Sequence, residues 1–130
     1  MKQPAAFAVV FIDGKICATT REDGTIGLPG GKLDDWESPI DAAYRESREE
    51  GWDIPDSDAT VFLKMVYDDR LVTWILMVPR EGQAVQLEDY KEKHRGIRPI
   101  LVTPEELIAS KKGNATAIPI AVDLYNHLYK

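Results

Sequence analysis

Glu46, Glu49 and Glu50 stand close together, a short way after the pair Gly30-Gly31. Residues three and four apart on a helix are neighbours, so these carboxylates form one acidic stripe. Two carboxylates about 6 Å apart repel by roughly 3 kcal/mol at an effective dielectric near 20. No helix needs that arrangement for stability. A solvated face, with Arg45 and Arg48 neutralising their neighbours, would account for the acids alone. It leaves their position beside a Gly-Gly loop unexplained. A hard divalent cation accounts for both, because Mg²⁺ takes a few carboxylates, keeps some waters and binds substrate phosphates at its open positions.

Other chemistries fit less well. Lys32 follows a glycine, but Leu33 stands where a phosphate-binding P-loop needs Ser or Thr. Ile26 stands where that loop needs its first glycine. The single cysteine excludes an internal disulfide and any multi-cysteine metal site. Cys17 lies in the apolar pattern Lys15-Ile16-Cys17-Ala18 and is read as core. His94 and His127 lack metal-ligand spacing.

The spacing resembles a known family. Gly31, five residues, Glu37, seven residues, Arg45-Glu46, two residues and Glu49-Glu50 is similar to the box of the Nudix (MutT-like) hydrolases. Leu28-Pro29-Gly30-Gly31-Lys32 is similar to its usual lead-in, and the box spans about 23 residues. Two positions depart from the pattern. Gly51 follows Glu50 directly, with Trp52 where the family's glycine stands, and Ser47 replaces an aliphatic residue. The helix is therefore expected to end about one residue early, which leaves the placement of Glu50 open.

The resemblance implies a Nudix-type α/β/α sandwich with a mixed sheet. It implies Mg²⁺ or Mn²⁺ held by Glu46, Glu49 and Glu50, with a backbone carbonyl of Gly30 or Gly31, here assigned to Gly31. Gly30, Gly31, Glu37 and Arg45 are the structural members of the box, and Glu37 and Arg45 tie loop to helix. One further acid from a later loop is expected as metal ligand or general base. Glu92 is assigned to it ahead of Glu88, because it lies shortly before the next strand. The base is then Glu92 or a box glutamate, Glu46 or Glu49. Arg21 is the family-like candidate for a substrate phosphate, with a solvated loop arginine as the alternative.

These residues need a scaffold, and the remaining chain supplies signals for one. Ser38 is a plausible N-cap, Pro39 suits the first turn and Asp41 sits at the positive end of the helix. Ile40, Ala43, Tyr44 and Ser47 form its packed face, and Gly51 supplies a left-handed stop. Residues 5–12 and 15–20 read as a hairpin across Asp13-Gly14. Thr25 to Leu28 reads as short and extended. Residues 61–67 and 71–78 form a second hairpin near the middle of the sheet, with Met65, Trp74 and Met77 in the core. Residues 84–87 extend the sheet, and 98–102 form another strand. Thr103-Pro104-Glu105-Glu106 is a capping box opening a helix to about Ser110. Pro119 is expected to start the last helix, with Ile120, Ala121, Leu124, Tyr125 and Leu128 on one face.

The chain has 130 residues, enough for a single domain spanning residues 1–130 with a real core. Its net charge is −6, which disfavours nucleic acid as a partner. The apolar N-terminal run is too short for a membrane span and reads as a first strand, so a cytoplasmic location is expected. The expected partner is a small-molecule nucleotide, with a homodimer left open. The expected function is metal-dependent hydrolysis of a nucleoside diphosphate linked to another group, a nucleoside triphosphate being the first choice. The alternative is a Nudix-fold module that binds a nucleotide without cleaving it.

Overall fold

The computed structural model describes residues 1–130, apart from the side chain of Lys112. The first half of the chain runs β1 (Lys2–Val9), β2 (Phe11–Ile12), β3 (Lys15–Thr20), β4 (Ile26–Gly27), β5 (Gly30–Lys32), α1 (Pro39–Glu49) and β6 (Trp52–Asp53). The second half runs β7 (Ser57–Tyr67), β8 (Arg70–Pro79), β9 (Val85–Gln86), a 3₁₀ turn (Lys91–Arg95), β10 (Arg98–Val102), α2 (Pro104–Ser110) and α3 (Lys112–Tyr129).

The main sheet is mixed, in the order β5-β1-β8-β7, with β1 and β8 parallel and the other pairs antiparallel. Side chains alternate across a strand, so a central strand serves two cores at once. Ala6 and Ala8 of β1, and Ile75 and Met77 of β8, face the side covered by α1. Phe7 and Val9, with Val72 and Trp74, face the side covered by α2 and α3. This is the expected α/β/α sandwich. A smaller sheet, β10-β3-β2 with β4 alongside β3, completes the two cores through Ile16, Cys17 and Ala18. Burial pushes the Cys17 thiol up to about 12, so it stays protonated and packs as core.

Both turns fall where the sequence puts them, but the first hairpin is shorter than expected. Only Phe11-Ile12 pairs with β3, because the chain leaves for the main sheet at β1, which runs beside β8 and β5 instead. Asp13-Gly14 and Asp68-Asp69 all take positive φ, which matches the right-handed twist of the flanking strands. Five further expectations need correction. Of the second hairpin only β8 lies inside the sheet; β7 is an edge strand, because β1 takes the other side of β8 in parallel. β7 also begins at Ser57 rather than residue 61. Residues 85–86 do not extend the main sheet but pair with Trp52-Asp53 in a separate ribbon. The last helix begins at Lys112, so Pro119 lies inside it. Proline removes one backbone hydrogen bond. Burial of Ala117, Ile118 and Ala121 on both sides of it outweighs that loss. Met65 is only partly buried at the edge of its core, whereas Trp74 and Met77 are fully inside.

Candidate active site

The loop–helix segment starts at β5. Gly30 and Gly31 pair with Phe7 and Ala6 of β1, so their backbone lies flat against the sheet. At Gly30 an added Cβ would sit 2.2 Å from the Ala6 carbonyl oxygen, and its φ is +152°. At Gly31 an added Cβ would meet the Glu46 carboxylate at 2.7 Å. The absence of side chains therefore lets the sheet and the first glutamate close on the loop from opposite sides. Gly30→Ala is expected to cost about 3 kcal/mol or more, since backbone cannot move away cheaply. Gly31→Ala should cost little stability, because a flexible carboxylate can yield, yet it should displace Glu46 and lower activity. Urea unfolding beside turnover separates the two outcomes; equal stability losses would contradict this account.

The helix forms for local reasons. The Ser38 hydroxyl accepts from the Asp41 N–H, Pro39 occupies the first turn and Asp41 faces the positive end. The buried face comprises Ala42, Ala43 and Ser47, with Ile40 and Tyr44 packed at its edge. Ala42 joins that face beyond the sequence reading. Among the described residues the Ser47 hydroxyl has no hydrogen-bond partner, a cost of putting serine at an aliphatic position. The helix ends at Glu49, with Glu50 as its cap and Gly51 at φ +108°. The departure at Gly51 does shorten the last turn. Trp52 then turns inward, 1 % exposed, and its indole N–H donates to the Ala18 carbonyl at 2.7 Å.

Arg45 holds the segment together. Its guanidinium forks onto Glu37, with Nε to Oε2 at 2.8 Å and Nη2 to Oε1 at 2.9 Å, and reaches the Lys32 carbonyl at 3.0 Å. Nη1 meets Glu46 at 3.1 Å and Glu49 at 3.3 Å. The eight-residue separation of Glu37 and Arg45 is thus bridged by the loop turning back over the helix. The bidentate Arg45 contact holds the Glu37 carboxyl below its ordinary range and raises the guanidinium further. Lys91 Nζ lies 3.8 Å from the other Glu49 oxygen.

Glu50 behaves differently from its neighbours. It is 8 % exposed and accepts the Gly30 N–H at 2.9 Å. Burial pushes its carboxyl up to about 8; that hydrogen bond and the charge of Arg21 oppose the shift, and Glu46 and Glu92 reinforce it. Burial also raises Glu46, against Arg45 and with Glu49 and Glu92. Glu92 therefore comes within electrostatic reach of the box from the 3₁₀ turn. Among the described residues one of its oxygens is buried without a hydrogen bond, and Arg95 Nε approaches it at 3.3 Å. Glu88, the second choice, is exposed on the loop.

A cleft of about 260 Å³ opens beside this acidic cluster. Gly30, Gly31 and Glu50 line one side, and Arg21 also stands on its wall. Lys32, Arg70 and Lys111 also line it. The sequence reading missed these three, since they come from β5, β8 and the link between α2 and α3, far apart along the chain. The donor chemistry suits a hard divalent cation: carboxylate oxygens on Glu46, Glu49, Glu50 and Glu92, one of them buried and without a hydrogen bond, beside bare glycine backbone. Among the described residues no three acidic or imidazole side chains already converge at ligand distance. Glu46 and Glu49 would have to turn from Arg45 to do so.

A mixed sheet between helices, with this loop–helix beside a basic cleft, defines a Nudix hydrolase domain. A family model described as NUDIX domain matches residues 1–124, and the chain belongs to that family. Solved structures agree on the fold. A MutT structure from work on Aliivibrio salmonicida and Vibrio cholerae is 21 % identical, covers 93 % of this chain and 97 % of its own, and has a TM-score of 0.69. An ADP compounds hydrolase is 14 % identical, with 99 % and 76 % coverage and a TM-score of 0.76. A NUDIX-family hydrolase from Clostridium perfringens is 11 % identical, with 95 % and 99 % coverage and a TM-score of 0.63. A search of curated protein sequences returns no match. Among the described residues no helix is long and apolar enough to cross a membrane.

Proposed function

We propose that this chain is a single-domain, metal-dependent hydrolase that cleaves the pyrophosphate bond of a nucleoside diphosphate linked to another group. The observation that carries the reading is the juxtaposition of Glu46, Glu50 and Glu92 with the Gly30-Gly31 backbone at one side of a basic cleft. Mg²⁺ or Mn²⁺, held by Glu46, Glu49, Glu50 and Glu92 with the Gly31 carbonyl, would supply charge neutralisation and Lewis-acid activation. The chain's own residues supply the rest. Gly30 and Gly31 let the diphosphate approach the backbone. Arg21 faces the same cleft and offers a guanidinium to a phosphate oxygen. A carboxylate must take the proton from the attacking water, and Glu92 and Glu46 are the bases in reach, with Glu49 behind them. Arg45 and Glu37 hold the loop and helix in register while this happens.

One observation favours a second reading, a nucleotide-binding module without turnover. Glu46 and Glu49 are engaged by Arg45, and no acidic triad is assembled among the described residues. The two readings separate in one assay. Nucleoside triphosphates, ADP-ribose, dinucleoside polyphosphates and nucleotide sugars are incubated with the protein, with and without Mg²⁺. Turnover that requires the metal is expected for at least one compound. Binding without any metal-dependent turnover would establish the module instead.

A further inference from the structure

The acidic stripe has a counterpart across the cleft. Arg21, Lys32, Arg70 and Lys111 all line it, in a chain of net charge −6. Among the other arginines, Arg45, Arg48, Arg80 and Arg95 each have a carboxylate within 4 Å, and among the described residues Arg98 and several surface lysines do not. Among the described residues none of the four cleft cations has one. Like charges gathered without partners repel one another, and an anion between them offsets that.

Their positions divide the work. Arg21 and Lys32 flank the Gly30-Gly31 loop, where the diphosphate and its cation are proposed to lie. Arg70 and Lys111 enter from elements that have no part in the box. Arg70 opens β8, with one guanidinium nitrogen held by the Gln3 carbonyl at 2.7 Å. Lys111 sits on the extended link between the two C-terminal helices. Its ammonium lies 3.4 Å from the point where a Cβ on Gly27 would stand, so the bare Gly27 leaves room for it at the cleft. A neutral sugar would leave both charges unanswered.

Resting on the hydrolase reading above, we infer that Arg70 and Lys111 are specificity residues that bind a further phosphate on the substrate, beyond the diphosphate at the box. The preferred substrate class is then a nucleotide whose second group is itself phosphorylated, as in a nucleoside triphosphate, over a diphosphate linked to a neutral sugar.

ATP and ADP-ribose share the ADP moiety and differ in that group. With saturating Mg²⁺, the double variant Arg70→Met, Lys111→Met should lower kcat/KM for ATP about tenfold more than for ADP-ribose, chiefly through KM. Equal losses on both compounds, or no loss on ATP, overturn the inference. Inorganic tripolyphosphate binding in chelator, followed by calorimetry, keeps the test independent of turnover and of the base. The wild type should bind it about tenfold more tightly than the double variant; absent binding, or equal binding, overturns the inference. A wild type that binds tripolyphosphate selectively yet hydrolyses nothing would sink the hydrolase reading while leaving the extra phosphate site standing. Thermal unfolding of the variant confirms that it is folded.

Discussion

Glu50→Gln is expected to stabilise the metal-free protein at alkaline pH while removing most of its Mg²⁺-dependent turnover. The reason is a conflict built into one side chain. Glu50 is buried beside Glu46 and the Gly30 backbone, and its carboxyl is pushed up to about 8 from an ordinary value of 4.5. A raised carboxyl binds its proton more tightly folded than unfolded. The associated stability is full below the unfolded value and is lost as pH rises through about 8. At pH 7 the loss is roughly 3 kcal/mol, taken from the shift at 1.36 kcal/mol per unit. Glutamine resembles the protonated acid and keeps an oxygen for the Gly30 N–H. In chelator, wild-type stability should therefore fall between pH 5 and pH 9 by more than that of the variant. A divalent cation would favour the ionised form, which glutamine cannot supply, so kcat should drop by about a hundredfold or more. Parallel stability profiles would contradict the burial argument. Wild-type turnover in the variant would mean that the shortened helix end keeps Glu50 off the metal.

Arg45→Met should have the largest effect on the fold of the segment. One guanidinium contacts Glu37, Glu46, Glu49 and the Lys32 carbonyl, and lies 3.3 Å from Asp34. Removing it leaves clustered, half-buried carboxylates without their shared cation. Breaking such a pair from one side costs far more than the pair contributes by existing, here about 2–4 kcal/mol. Lysine should restore little, because a point charge cannot reproduce the fork onto Glu37. Adding Mg²⁺ should recover part of the lost melting temperature, since the freed Glu46 and Glu49 become available as ligands. The check is thermal unfolding of wild type, Arg45→Met and Arg45→Lys, each with and without Mg²⁺. A lysine variant as stable as wild type would remove the bidentate geometry from the account. Mg²⁺ that stabilised the wild type more than Arg45→Met would show that Arg45 assembles the ligands rather than competing for them.

Both predictions depend on features of different legibility. The helix, its Ser38 cap and its early end at Gly51 were readable because each rests on neighbours within a few turns of chain, whereas the Glu37–Arg45 tie followed only from the family resemblance, eight residues being too far for a helix-neighbour contact. The capping box at Thr103 was readable for the same reason. Hairpin turns at Asp13-Gly14 and Asp68-Asp69 needed only local dihedral preference. Pro119 was misread because a local rule met a long-range one. A proline signals a helix start, but burial of Ala117, Ile118 and Ala121 carries the helix through it. The strand at residues 85–86 was misplaced because its partner, Trp52-Asp53, is specified by nothing in its own sequence.

What the sequence alone determined is the chemistry on offer: three clustered carboxylates, two bare glycines before them, and the capped helix that carries the acids. Spacing along a helix and the steric freedom of glycine are local properties, so residue type and interval suffice to state them. Tertiary structure decided how each of those groups is tuned. It buried Glu50 against Gly30 while leaving Glu49 between Arg45 and Lys91. It also brought Glu92 to the box and Arg70 and Lys111 to the cleft. Charge, desolvation and distance act through space, and positions remote in the chain become neighbours only once both faces of the sheet are packed.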